Sequence, residues 1–321
     1  MKAVVVEQIG SFSVREIEIP KVSPEEVLVR VQVTGLCRTD LKIVRVGHRD
    51  LVLPRVPGEE VVGVIKEVGA EVSRFCTGQR VYIYPGTSCG TCEACRHGAG
   101  NLCASMQIMG FHRDGGFAEY VCAPQASLIP IPDGLPDDVA ILAEPLSCCL
   151  NALERAALKP GDCVGVWGGG PAGTLIRRAA IAKGATGWTV EPHAGRRARI
   201  DGFEEAPAEG CDVAVVAVGD AAAYQQAIKS LRPRGCLVLF SGLSPATACQ
   251  PLDLNAMHYL EQRVAGAYGC TFEHGAEAIR LLADGTVTVS DMISHRLPLA
   301  ELDHVLGIVE RREGMKILLY P

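Results

Sequence analysis

Cys163-Val164-Gly165-Val166-Trp167-Gly168-Gly169-Gly170-Pro171-Ala172-Gly173 is the stretch that decides the fold. Its first five residues form a short apolar run that reads as a buried strand. The next six read G-x-G-x-x-G, and Leu175, Ile176, Ala179 and Ala180 then recur at helical spacing. A lone glycine motif is often only a flexible loop; strand, turn and helix together give it meaning. The glycines let the backbone turn sharply and approach a pyrophosphate, while the helix N-terminus offers free N–H groups and a positive dipole end. Lys183-Gly184-Ala185 stops the helix, and Trp188-Thr189-Val190 reads as a second strand ending on Glu191. Glu191 lies 18 positions after Gly173, close to the spacing of about 20 expected for the acid that holds an adenosine ribose. Gly168, Gly170, Pro171, Gly173 and Glu191 are therefore candidate dinucleotide-binding residues. Glu191 favours NAD over NADP, and the nearby Arg196 and Arg197 pull the other way.

Working outward, the same alternation continues. Asp212–Gly219 reads as a strand, Ala221–Leu231 as a helix and Cys236–Phe240 as a strand, the pattern of a parallel sheet. Val264–Tyr268 is the expected last strand, uncharged and at an edge. Upstream, Ala140 to Leu158 reads as helix. Residues 1–35 alternate as antiparallel strands, Gly115–Val121 returns to strand, and helices at His274–Ala283 and Leu302–Arg311 close the chain.

With 321 residues the chain suits two domains. It is 48% hydrophobic and 21% charged, and its net charge of −6 gives no footprint for nucleic acid. No apolar run reaches membrane-spanning length, and the start lacks a signal-peptide pattern, so a soluble cytoplasmic protein is expected.

Four of the 14 cysteines, Cys89, Cys92, Cys95 and Cys103, fall within 15 residues. That spacing suits tetrahedral zinc with every position filled by protein, hence a structural ion. Cys163, Cys211 and Cys236 lie in apolar strands and read as core residues. Cys37, Asp40, Glu59 and Glu60 are ionisable groups wedged between apolar strands, which makes them site candidates. Glu144, just before Pro145, reads either as a first-turn acid or as a ligand aimed into a cleft.

In this order the pieces resemble the zinc-containing medium-chain alcohol dehydrogenases over nearly the whole chain. The marks are Gly35–Asp40, Pro57–Gly63, the four-cysteine knuckle, Asp114–Tyr120, Glu144-Pro145-Leu146, the glycine turn and Ile293–Arg296. Glu144-Pro145-Leu146 resembles the polyol (sorbitol-type) branch. The resemblance implies an α/β fold: a partly open β-barrel-like catalytic domain from residues 1–146 and 273–321, and a doubly wound parallel Rossmann domain at 147–272. It implies an active site in the cleft between them and a homodimer or homotetramer paired through the last strand. It also implies a catalytic zinc held by Cys37, Glu59 and Glu144, with Glu60 able to move in. Asp40 would support a zinc ligand, Thr39 would pass the substrate proton, and Arg38 would contact the cofactor pyrophosphate. His48 reads as a structural histidine or as a relay touching substrate.

One departure is plain. The family reads Gly-His-Glu where this chain reads Gly58-Glu59-Glu60. Carboxylate oxygen is still a zinc ligand, but a thiolate with two carboxylates makes a more anionic shell and a weaker Lewis acid. A second departure is a short stretch between Arg199 and Cys211. Two readings follow: a zinc-dependent dehydrogenase moving a hydride between a secondary alcohol of polyol or cyclitol type and NAD, or a nucleotide-binding homologue that has lost its catalytic zinc and serves a regulatory or structural role. Retention of Cys37, Thr39, Asp40 and Glu144 favours the first, and Glu59 favours the second.

Overall fold

The computed structural model describes residues 1–321. The chain divides into two compact units, Met1–Glu144 with Thr271–Pro321, and Pro145–Cys270.

In the first unit the strand Glu26–Leu36 organises everything else. Its valines and leucines alternate with polar residues, and nearly every apolar one is buried. Along one side it pairs with Glu60–Val68; on the other it pairs with Tyr120–Pro124 near its start and with Lys316–Tyr320 near its end. All three pairings are antiparallel. Ile293–Pro298 adds on in parallel beyond Lys316–Tyr320, and Arg80–Ile83 and Leu128–Pro130 extend the far side, which makes a seven-stranded mixed sheet. Val27, Val29, Ile65, Val81 and Ile83 form one core. Val4, Leu36, Phe117, Val305 and Leu306 form another.

Residues 115–119 are not the strand expected there. Gly115, Gly116 and Phe117 lie on the Pro57-Gly58 turn, with the Gly116 N–H donating to Gly58 O at 2.9 Å and the Phe117 N–H to Pro57 O at 2.9 Å. A Cβ on Gly115 would sit 2.4 Å from Gly58 O, and Gly58 itself has φ +102. Two glycine segments thus lock together, and the segment that carries Glu59 is fixed. The helix expected from Ala140 to Leu158 is also broken. Asp137–Ala140 forms one turn, and Ala143–Arg155 starts afresh with Glu144 in its first turn.

The second unit is a five-stranded parallel sheet in the order Thr186–Val190, Cys163–Trp167, Cys211–Val216, Leu231–Leu239, Arg263–Gly266. The helices Pro171–Ala182 and Ala221–Lys229 pack on it. Trp167 and Trp188 meet edge to face at 5.2 Å. A Cβ on Gly165 would strike the Trp188 ring at 2.5 Å, so that glycine makes room for the indole. After the helix Ala194–Ile200 the chain turns instead of forming a strand. Only Phe203 bridges to Val190, which accounts for the short stretch noted above.

Candidate active site, cofactor turn and metal knuckle

The glycine turn has the geometry its sequence asks for. Gly168 adopts φ +106, which L side chains avoid. Gly170 caps the helix and Pro171 opens it. A Cβ on Gly173 would lie 1.8 Å from Gly168 O, so the helix packs on the turn only as glycine. Glu191 is buried and closes the turn from below. Its Oε2 accepts the Gly169 N–H at 2.9 Å and its Oε1 the His193 N–H at 2.9 Å. Arg196 Nη1 stands 3.8 Å from Glu191 Oε2 and about as far from the Cβ direction of Gly170. Arg197 is engaged with the carbonyls of Glu191 and Pro192 and with Glu204.

In the first unit, Cys37 directly follows the long central strand and caps the helix Arg38–Arg45. Asp40, in the first turn of that helix, accepts the Cys37 N–H at 2.9 Å and the Cys37 thiol at 3.2 Å on the same Oδ2. The resemblance implied that Asp40 orients a zinc-bound ligand from the 59 position; with glutamate there, Asp40 holds the thiol instead. Gly35 stands opposite Glu60 in the sheet, and Leu318 faces Gly35 from the other side. A Cβ at 35 would fall 1.9 Å from Glu60 Oε2 and 2.9 Å from Lys316 Cε. Glycine therefore leaves the gap through which Glu60 and Lys316 form an ion pair, with side chains 1% and 3% exposed.

The charges around this pair do not balance. Asp40 Oδ1 and Glu60 Oε1 are buried with no hydrogen-bond partner. Burial, then the charges of Asp40, Glu60 and Glu59, push the Cys37 thiol well above its ordinary range. Burial pushes Asp40 up to about 6. Burial alone would lower the Lys316 ammonium, but Glu60, Cys37 and Glu144 outweigh it and raise it. One ammonium faces a thiol and several carboxylates, a donor set that suits a further cation. Cys37, Glu59 and Glu144 nevertheless do not converge within 4.8 Å of one another, unlike the knuckle cysteines. The donor chemistry fits zinc, and the Glu144 carboxylate lies within 4.8 Å of the Cys148 and Cys270 sulfurs. Sequence reading missed Lys316. Its only signal was a lysine at the head of the apolar run Ile317-Leu318-Leu319.

Of the remaining candidates, Arg38 is exposed on the first turn after Cys37, and Thr39 is half-buried beside it. His48 packs edge to face on Phe111 at 4.9 Å and accepts the Asp50 N–H on Nδ1 at 3.3 Å; burial lowers it. That is the environment of a structural histidine.

The knuckle is preformed. The sulfurs of Cys89, Cys92, Cys95 and Cys103 all lie within 4.8 Å of one another. Backbone N–H groups point at them: Cys92 to Cys89 Sγ at 3.3 Å, Cys89 to Cys103 Sγ at 3.3 Å and Ser105 to Cys103 Sγ at 3.4 Å. Hydrogen bonding, from Thr91 foremost, brings Cys89 down to about 6, whereas burial pushes Cys95 up to about 11. Aimed N–H donors on clustered sulfurs suit thiolates, and hence zinc.

Comparison with known proteins agrees with this anatomy. Residues 23–133 match the alcohol dehydrogenase GroES-like domain. The chain is 31% identical to sorbitol dehydrogenase of Bacillus subtilis (strain 168), covering 100% of this chain and 97% of that one. It is 30% identical to L-galactonate-5-dehydrogenase of Escherichia coli (strain K12), covering 98% of each. The crystal structure of a zinc-binding dehydrogenase from Sinorhizobium meliloti 1021 bound to NADP superimposes with a TM-score of 0.93 at 31% identity, covering 100% of this chain and 99% of that one. With the glycine turn, the Cys37 pocket and the cysteine knuckle in place, the chain belongs to the zinc-containing medium-chain alcohol dehydrogenases, on their polyol branch, and is an oxidoreductase acting on alcohols.

Proposed function

We propose that the substrate is a polyol- or cyclitol-type secondary alcohol, or the matching ketone, and that NAD is the hydride carrier. The observation that carries the reading is the surplus of buried donors around Cys37, in a chain whose other unit holds an intact dinucleotide turn. Relatives named for sorbitol and L-galactonate support a polyhydroxylated substrate. Cys37, Glu59 and Glu144 would hold a zinc ion, which would supply Lewis-acid polarisation of the alcohol oxygen. Asp40 keeps the Cys37 sulfur oriented, and Lys316 keeps Glu60 folded back. The Thr39 hydroxyl carries the substrate proton outward. In the other unit the glycine turn receives the pyrophosphate, and Glu191 accepts from the ribose diol.

Glu191 disfavours a 2′-phosphate by charge, and Arg196 partly offsets that charge. NAD is therefore preferred by a modest margin. Small soluble alcohols and ketones are the partners, in the cytoplasm, and the enzyme is a homodimer or homotetramer paired through Arg263–Gly266. The test is a panel of polyols and cyclitols assayed for NADH and NADPH formation by zinc-loaded protein. Turnover of a polyol with NAD is the expected result. Absence of turnover across the panel, or preference for NADP, would reject the corresponding part of the assignment.

A further inference from the structure

Two thiols in the second unit lie beside Glu144 and are given no role in the chemistry above. Cys148 lies one turn into the helix Ala143–Arg155, and Cys270 follows the edge strand Arg263–Gly266. Their sulfurs and a Glu144 carboxylate oxygen all lie within 4.8 Å of one another. The two segments are held together by side chains of the same helix. Ser147 Oγ donates to Cys270 Sγ at 2.9 Å, and Asn151 Nδ2 donates to Gly269 O at 2.8 Å and to Tyr268 O at 3.4 Å. Gly269 has φ +56, so the residue before Cys270 adopts a backbone conformation suited to glycine.

We propose that Cys148 and Cys270 are a peroxide-oxidisable pair that closes to a disulfide. This does not depend on which alcohol the enzyme uses. Cys148 is half-buried and Cys270 is buried, so an oxidant reaches Cys148 first. The Cys148 thiolate attacks one oxygen of hydrogen peroxide. The O–O bond breaks, Cys148 becomes a sulfenic acid, and the other oxygen leaves as water after taking up the thiol proton. Cys270, whose sulfur is held by the Ser147 hydroxyl at 2.9 Å, attacks the Cys148 sulfur and gives up its proton to the departing hydroxyl. The S–O bond breaks, a second water leaves, and the S–S bond forms. In total two thiols lose two hydrogens and one peroxide becomes two waters. The sulfurs close to about 2.05 Å, which draws the helix toward the segment at 268–270. The next helix residue, Cys149, bonds to Ala172 O at 3.5 Å in the first turn of the cofactor helix. Closure therefore pulls on the dinucleotide turn.

The experiment treats the zinc-loaded full-length protein with hydrogen peroxide and follows it by non-reducing peptide mapping and by NADH titration. We expect a peptide pair joining Cys148 to Cys270, reversed by dithiothreitol, with NADH binding weakened several-fold and restored on reduction. Cys148→Ser should form no such pair and should keep its NADH affinity through the same treatment. Should that variant not fold, Cys270→Ser is read in the same way. The proposal is overturned if cross-links are confined to Cys89, Cys92, Cys95 and Cys103, or if Cys148 proceeds to sulfinic acid without linking. It is equally overturned if zinc bound at the pair blocks its oxidation, or if NADH affinity is unchanged once the link has formed.

Discussion

Glu60 and Lys316 form an ion pair near Cys37, both almost fully buried, because residue 35 between them has no side chain. A buried ion pair is costly to break from one side, since the remaining charge keeps its desolvation penalty. Lys316→Met should destabilise the protein by about 3–5 kcal/mol. The double change Glu60→Met with Lys316→Met should recover most of that loss. Gly35→Ala should resemble the single change, because its Cβ would collide with the Glu60 carboxylate. Urea unfolding of the four proteins checks this; equal stabilities for the single and double variants would contradict it.

Glu59 is where the chain leaves its family pattern. Glu59→Ala should reduce zinc from about two ions per chain toward about one and abolish turnover. Glu59→His should retain both ions and move the activity optimum to lower pH, because a neutral ligand leaves the metal more electrophilic and lowers the pKa of its bound water. If the unaltered protein holds one zinc even after supplementation and Glu59→His gains the second, the carboxylate is not a ligand.

At the knuckle, Cys95→Ala should remove the ion that the four sulfurs hold. Closed zinc sites contribute folding energy, so the variant should melt earlier or precipitate. Metal analysis beside thermal unfolding decides this. A fully folded variant with unchanged zinc content would exclude the assignment.

Gly173→Ala tests the dinucleotide turn. The added carbon would fall 1.8 Å from Gly168 O, a backbone atom that cannot rotate away. NADH binding should drop at least tenfold, about 1.4 kcal/mol, with a small loss of stability. Isothermal titration with NADH gives the answer, and wild-type affinity would count against the turn as the cofactor site.

The dinucleotide unit was legible because its signals are local. The run Cys163–Trp167, the glycines and Glu191 each announce themselves within a few residues, and they fold as neighbours. The knuckle was legible for the same reason. The Cys37 pocket was harder to read, since it is assembled from residues 37, 60 and 316, which only antiparallel pairing brings together. Lys316 in particular looks like the charged end of a C-terminal strand until Gly35 is seen to leave room for it. Residues 115–119 misled through their alternation. Gly115 and Gly116 serve close backbone packing on Gly58 there, and tertiary contact overrides the strand pattern.

The two borders of the five-stranded sheet are not alike. At the Thr186–Val190 border, Phe203 donates to Thr189 O at 2.8 Å and accepts from the Glu191 N–H at 2.9 Å, so a loop already occupies that end of the strand. Arg263–Gly266 at the opposite border has no strand beyond it. Only the Arg263–Gly266 border is free of such a covering loop contact. Growth from a single side saturates once two copies meet about a two-fold axis, whereas two open sides permit endless head-to-tail polymerisation. Addition through the Arg263–Gly266 border alone would close at two copies, while the loop at Phe203 covers the end of the opposite border strand.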